Sequence, residues 1–343
     1  MQVTLPYDIN HLLIKKEHFL HRSFVHGIGH SIRVSIFSSL IGEKTGYLRK
    51  GQIASVAALF HDLARSSDGD DQVHGVVAVE TILPQFEEEI KTLGFSEEDI
   101  TEMKTAIKWH CLTWNYMNCG SNDAFMQEYA KAFRIMYNGI KSENANANVY
   151  TCIDHQWARS EASYYISGKE FLTKLNNIIK SEGNIDWRVA QHPYNAPLYA
   201  PNAWETGSKV SHSQSTPYVT VANIDVLTDF LASPDMLSPT GAVRTVKCSE
   251  VGYSSANGEP LQAASLVYAY MVAENNRYID GIVISRESDD VGDIAQGMLS
   301  GLCNLDGSHK MGYDFYKNAT SPDIIAQASS AAGVDLTSLI TPR

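Results

Sequence analysis

The sequence predicts an α + α/β chain, with a helical domain over residues 1–111 and an α/β domain with about four parallel strands over 112–343. Three observations predict it. Before residue 111 the apolar residues recur at helical spacing. After residue 123 short apolar strands alternate with amphipathic helices four times, the pattern of parallel βα units. Composition also shifts near Cys111: eight of the twelve histidines lie at or before His110, whereas of the five tryptophans only Trp109 precedes Leu112.

The elements follow in order. Ile32, Val34, Ile36, Phe37 and Leu40 place a helix over 30–40. Residues 52–64 are almost wholly apolar apart from His61 and Asp62, so a central helix is expected there, interrupted afterwards by the polar loop 66–72. A helix over 76–83 follows. Another covers 96–110, opened by Ser96 with acids in its first turn, where the helix dipole favours them. An amphipathic helix spans 123–141. Strands are expected at 149–154, 185–191, 243–249 and 279–285, and helices at 169–180, 223–231, 261–273, 294–302 and 323–331. A complete (β/α)8 barrel needs about 250 residues, so four units amount to half a barrel.

Composition bounds the function. The formal net charge of −12 argues against nucleic acid or an anionic membrane surface as a general partner. It leaves a phosphate ligand open, because a bound cation overrides net charge locally. The five cysteines are odd in number and widely spaced with no Cys-x-x-Cys, which reads as buried thiols rather than a disulfide framework. No segment reaches membrane-span length and no basic leader opens the chain, so no membrane partner and a cytoplasmic location are expected.

The chemistry concentrates on His61-Asp62. A carboxylate on a core-facing helix costs several kcal/mol unless it is paired or binds a cation. His30, His61, Asp62, His74 and His110 offer imidazoles and one carboxylate from successive helices. That set suits Mn, Fe, Co, Ni or Zn, or Mg with fewer imidazoles. A divalent ion there would polarise a phosphoryl oxygen, and Arg65, one turn after His61, could take a phosphate bidentately.

The stretches His26-Gly-Ile-Gly-His30-Ser-Ile-Arg33-Val34, Ala57-Ala-Leu-Phe-His61-Asp62-Leu-Ala-Arg65, Asp71-Gln-Val-His74-Gly75 and Ile107-Lys-Trp-His110 resemble the HD-domain phosphohydrolase superfamily over about 10–111. The resemblance implies metal ligands at His30, His61 and Asp62, with His74 and His110 at positions used by members with extra histidines. It implies catalytic roles for Asp62 and Arg65 and substrate contacts at His26 and Arg33. One departure stands out: the family closes its site with an aspartate in an Asp-Ala-Asp-like segment, and none follows His110.

Beyond Leu112 the chain resembles something else. Leu112-Thr-Trp-Asn-Tyr-Met117, Val149-Tyr-Thr-Cys-Ile-Asp154-His155-Gln-Trp157, Ile185-Asp-Trp-Arg-Val-Ala-Gln-His192-Pro-Tyr194 and Cys248-Ser-Glu250-Val-Gly-Tyr253 look like the C-terminal half of a family of bacterial glycosidase-like (β/α)8 barrels, over about 112–335. Catalytic residues of such barrels sit at strand C-terminal ends. The resemblance implies a nucleophile at Glu250 and carbohydrate contacts at Trp157 and His192. The acid/base glutamate of the fourth strand has no counterpart, since Trp109-His110-Cys111 occupies its place.

The two resemblances meet at 110–113 with no Pro/Gly/Ser linker, which reads as a chimeric chain. The expected activity is metal-dependent hydrolysis of a small phosphorylated substrate, impaired by the absent final aspartate. The alternatives are a glycoside hydrolase acting through Glu250 on a carbohydrate, and a non-catalytic scaffold. Half a barrel also leaves strand edges and an open apolar interior to be covered, by the helical domain or by a second copy in a homodimer.

Overall fold

A computed structural model describes residues 4–22, 25–67, 71, 73–110, 119–159, 165–205 and 207–343. The motif at 112–117, the seam at 111–113 and loop positions 68–70 and 72 lie outside the described residues. The chain forms two compact units, residues 1–147 and 148–343.

The first unit is helical. α1 (Ile28–Thr45) and α2 (Leu48–Phe60) are joined by Gly46, whose φ of 79° closes α1 in the left-handed region. The two helices touch backbone to backbone: a Cβ on Gly42 would lie 2.6 Å from the Gly51 Cα. Their interface is stitched by hydroxyls, with Ser35 Oγ donating to the Ser55 carbonyl at 2.6 Å. Sequence periodicity places one helix over 76–83. The chain instead runs through α3 (His74–Val77), a π turn (Ala78–Ile82), a 3-10 turn (Leu83–Phe86) and α4 (Glu87–Thr92). Pro84 is the cause, since it has no N–H for the Glu80 carbonyl.

α5 (Glu97–Trp109) starts where the sequence places it. Ser96 Oγ accepts from Asp99 N at 3.2 Å, and the Asp99 carboxylate accepts from Ser96 N at 2.7 Å. Val56, Leu59, Phe60, Leu63, Leu83, Ile90, Met103 and Ile107 form a core from which water is excluded. Each such side chain contributes about 1.5–3 kcal/mol by burial. α6 (Asn122–Glu143) packs on α1 and buries Met126, Ala130 and Phe133. The compact unit therefore extends past the composition seam near 111, because the apolar stripe of α6 is spent on α1.

The second unit holds β1 (Val149–Ile153), α7 (Gly168–Ser181), β2 (Trp187–Gln191), α8 (Asp225–Leu231), β3 (Val246–Val251), α9 (Glu259–Glu274) and β4 (Ile279–Ile284). The strands are parallel and ordered β1-β2-β3-β4, with Cys152 beside Ala190, Ala190 beside Lys247 and Lys247 beside Gly281. Four consecutive βα units thus make the expected half barrel. Three helices follow: α10 (Val291–Ala295), α11 (Met311–Lys317) and α12 (Pro322–Ala332), the last two packed on α9. The helix expected over 294–302 is only the short α10, stopped at Gly297 with φ 80°. α11 escapes sequence reading because it carries Gly312, which the close approach of Leu266 and Gln262 requires.

Val149, Thr151, Ile153, Trp187, Val189, Val246 and Cys248 occupy the buried face of the sheet. The opposite face is not the open apolar interior that half a barrel suggests. Asp280 accepts there from the hydroxyls of Tyr150 at 2.7 Å and Thr245 at 2.6 Å, and from Arg188 at 2.9 Å. Lys247 lies 3.3 Å from the other Asp280 oxygen.

Candidate functional site

In the first unit four imidazoles and one carboxylate converge. His30 comes from the first turn of α1, His74 from the start of α3 and His110 from the end of α5. His61 and Asp62 do not lie within a helix as periodicity implies: α2 ends at Phe60 and His61 caps it. From there the chain tightens into successive i→i+3 turns, Leu63 N to Phe60 O and Arg65 N to Asp62 O, both 3.2 Å. Adjacent helical residues point about 100° apart. Breaking the helix at this point lets both side chains face one site.

Asp62 is 3% exposed and its two oxygens face different partners. Oδ2 lies 3.2 Å from His61 Nε2 and 3.5 Å from His30 Nε2. Oδ1 lies 3.1 Å from His74 Nε2 and 3.5 Å from His110 Nε2. Two donor triads result, His30/His61/Asp62 and Asp62/His74/His110, sharing one carboxylate.

The imidazole tautomers follow from backbone geometry. Nδ1 of His61 lies 2.7 Å from the Ala58 carbonyl and Nδ1 of His110 lies 2.7 Å from the Ile107 carbonyl. Nδ1 of His74 contacts the Asp71 carbonyl. A carbonyl only accepts, so each Nδ1 carries the proton and each Nε2 presents a lone pair. His74 and His110 then set two Nε2 atoms 3.0 Å apart, and His30 and His61 set theirs at 3.2 Å. The His74 and His110 lone pairs, held that close, repel unless a positive charge lies between them, whereas His30 Nε2 can donate to His61 Nε2. Two nitrogens and a carboxylate oxygen per triad are donors that fit a divalent first-row ion.

Burial pushes the Asp62 carboxyl up, but Nε2–H donation from His110, His61 and His74, which those rings offer only in their doubly protonated form, outweighs it and holds the group well below the usual carboxylate range. Burial and the neighbouring His61 push His30 down. Arg65 Nη1 stands 3.7 Å from Asp62 Oδ1 while its Nε donates to the Ser67 carbonyl at 3.1 Å. His26 sets its ring edge-on to His30, with centroids 5.7 Å apart. Arg33 is exposed one turn beyond His30.

Asp71 and Gly75, two residues that the sequence shows only as neighbours of His74, support the site. Asp71 accepts from Ser66 N and Oγ at 2.9 and 2.7 Å and from His74 N at 3.2 Å, so it holds the turn that delivers His74. The bonds from Ser66 hold its carboxyl down at about 2. Gly75 permits α3 to touch α5, since a Cβ there would lie 2.3 Å from the Ile107 carbonyl. No further carboxylate joins either triad among the described residues. Glu128 of α6 is paired instead with Lys131 at 2.5 Å.

The second unit has a cleft of about 600 Å³ at the C-terminal ends of its strands, lined by Asp154, His155, His192, Tyr194, Glu250 and Arg286 among others. Glu250 Oε2 accepts from the Tyr194 hydroxyl at 3.1 Å and lies 3.4 Å from His192 Nδ1. Asp154 and Asp293 share the cleft; the first accepts from Gln156 N at 2.7 Å and the second pairs with Arg286 at 2.9 Å. Trp157 is not there. It is 1% exposed, with its ring edge-on to Phe230 at 5.1 Å, so it serves the core rather than a ligand. Nor are all the cysteines buried thiols: Cys152 is exposed, with Sγ 3.1 Å from His192 Nε2. Its position on β1 points it away from the buried face of the sheet, a parity that the sequence alone did not connect to His192.

No described helix is long and apolar enough to cross a membrane. Residues 27–139 match the HD domain family, and residues 110–338 match the family of unknown function DUF5722. The two matches overlap across α6. None of the curated proteins compared with the chain matches it. Among solved structures, a family 39 glycoside hydrolase from Bacteroides cellulosilyticus WH2 is similar at 19% identity and a TM-score of 0.38, over 60% of this chain and 37% of its own. A thermostable mutant of a xylanase from Cellvibrio japonicus is similar at 10% identity and a TM-score of 0.36, over 57% of this chain and 56% of its own. This chain therefore spans less than two thirds of either enzyme. With two thirds of its length matched by one family, and an HD domain ahead of it, the chain belongs to the family of unknown function DUF5722.

Proposed function

We propose that the helical unit is a metal-dependent phosphohydrolase acting on a small phosphomonoester or phosphodiester. One observation carries the reading: both oxygens of the buried Asp62 face pairs of imidazole Nε2 atoms, and in three of the four rings, those of His61, His74 and His110, the Nδ1 proton is already committed to a backbone carbonyl. His30, His61 and Asp62 would hold one divalent ion, and Asp62, His74 and His110 a second. When bound, such an ion acidifies water and polarises a phosphoryl oxygen. Mn, Fe, Co, Ni, Zn and Mg all suit parts of this donor set.

The chain's own groups supply the rest. The carbonyls of Ala58, Asp71 and Ile107 lock three rings in the ligating orientation, which lowers the entropy lost on binding. Arg65 places a guanidinium beside Asp62, where it can orient a phosphate and offset its charge. His26 and Arg33 flank the His30 side and would contact the remainder of the substrate. The test is metal analysis after reconstitution, together with hydrolysis of 4-nitrophenyl phosphate and bis(4-nitrophenyl) phosphate. His61→Ala should lower turnover at least about 100-fold, the scale of a lost ligand or its support. A reconstituted chain without stoichiometric metal would sink the proposal.

A second reading, glycoside hydrolysis at Glu250, is favoured by the strand-end cleft that Glu250 shares with Asp154 and Asp293. It needs a second carboxylate about 5–9.5 Å away to act as acid or base. Unchanged hydrolysis of 4-nitrophenyl glycosides by Glu250→Gln would dismiss it. A homodimer that pairs the outer strands β1 or β4 remains part of the proposal; a monomer by light scattering would contradict it.

A further inference from the structure

Beside the strand-end cleft, His192 and Glu250 stand with a cysteine that neither reading uses. Cys152 lies in β1, His192 directly follows β2 and Glu250 lies in β3, three adjacent parallel strands. Cys152 Sγ is 3.1 Å from His192 Nε2, and His192 Nδ1 is 3.4 Å from Glu250 Oε2. The Tyr194 hydroxyl fixes that Glu250 oxygen at 3.1 Å and lies 2.7 Å from Ser285 Oγ. A thiol within reach of an imidazole, with a carboxylate behind the imidazole, is the arrangement of nucleophile, base and orienting group that acyl transfer uses.

We propose that Cys152, His192 and Glu250 form a thiol acyl-transfer site that hydrolyses a short-acyl ester of a polar alcohol. Leu198 and Met298 give the cleft an apolar wall for the acyl chain, while Asp154, His155, Ser254 and Ser300 offer hydrogen-bond partners to the alcohol. Cys152 Sγ attacks the carbonyl carbon; its proton passes to His192 Nε2 and the carbonyl π pair moves onto oxygen. Collapse restores the C=O bond and expels the alkoxide, which takes that proton and leaves as the alcohol. Water then attacks the thioester and gives a proton to His192. The thiolate leaves, recovers the proton, and the carboxylic acid is released. Ester and water are consumed, acid and alcohol are formed, and no oxidant or metal is required.

The resting thiol carries its proton. The Cys152 residue reaches solvent, but the protein packed around its sulfur, followed by the charges of Glu250 and Asp154, pushes the thiol up to about 11. The proton must therefore move during the attack, which makes His192 a base rather than one half of a preformed ion pair. Glu250 acts through His192 and is a positioning residue, kept in place by Tyr194.

The experiment uses the full chain in EDTA, so that phosphohydrolase activity and this activity fail independently. The protein is mixed with 4-nitrophenyl acetate, release of 4-nitrophenolate is followed, and the acyl-enzyme is trapped in acid and mapped by mass spectrometry. One acetyl group on the Cys152 peptide is expected, and His192→Gln should slow acylation about 100-fold or more. Glu250→Gln should lower kcat with KM little changed, and Glu250→Asp should recover part of the loss. Circular dichroism of each variant separates these effects from unfolding. Acetyl spread over Cys119, Cys248 and Cys303 without preference, turnover retained in Cys152→Ala, or acylation of folded His192→Gln at the parental rate would each overturn the proposal.

Discussion

Sharing of Asp62 between two triads makes metal stoichiometry the sharpest test of the helical site. His61→Ala removes a donor from one triad only, His74→Ala removes a donor from the other, and Asp62→Asn withdraws the carboxylate from both. Four-ligand structural zinc sites bind with about 10–16 kcal/mol, so one donor is worth about 2.5–4 kcal/mol, or roughly a 10²–10³-fold loss in affinity. At micromolar free metal that loss empties the affected triad. The parent should carry two ions per chain after reconstitution and dialysis, the two histidine variants one each, and Asp62→Asn none. Elemental analysis reads the stoichiometry, and titration calorimetry reads the affinity of the surviving site. If His61→Ala and His74→Ala each lose all metal, the two triads are a single site. If Asp62→Asn keeps both ions, the carboxylate does not bridge, and the reasoning from its two oxygens is wrong.

Three further predictions follow from single contacts. Gly75→Ala drives a Cβ against the Ile107 carbonyl, and should cost about 1–3 kcal/mol in urea unfolding while emptying the His74/His110 triad before the other; an unchanged midpoint and metal content would refute it. Lys310, 1% exposed, donates to Asp289 at 2.7 Å, and Asp289 accepts from Gly301 N at 2.9 Å beside the cleft. Lys310→Met strands that carboxylate and should cost about 3–5 kcal/mol, against less than 1 kcal/mol if the pair is dispensable. Alkylation of Cys152 by iodoacetamide, followed by peptide mass, should rise about tenfold per pH unit from pH 8 to 10, because a thiol at about 11 is still mostly protonated there and its small thiolate fraction grows tenfold with each unit. A plateau beginning below pH 8 would mean a preformed thiolate.

Much of the site is legible in the sequence. His30, His74 and His110 fall at helix ends where periodicity and caps place them, and Ser96 caps α5 as its acids suggest. Strand–helix alternation located all four strands to within a few residues, because the apolar side chains of one face, such as Val149 and Ile153 or Trp187 and Val189, recur at every second residue between helices. Other features resisted. Helical periodicity carried α2 through His61, since nothing local in Leu-Phe-His-Asp-Leu announces a turn; the inward pull on two polar side chains comes from histidines on other elements. Trp157 read as a sugar platform because its place after β1 is right, yet its ring closes the core against Phe230.

Sequence by itself determined the order of the elements, the change of character near Cys111, and the donor inventory at His30, His61, Asp62, His74 and His110. Those depend on local spacing, which a linear chain records directly. Tertiary structure decided which oxygen of Asp62 faces which pair of imidazoles, and that the inner face of the sheet is a polar network on Asp280. It also decided that Cys152 meets His192 across two strands. Each of these depends on register and side-chain parity between segments dozens of residues apart, where a shift of one residue moves a side chain to the other face.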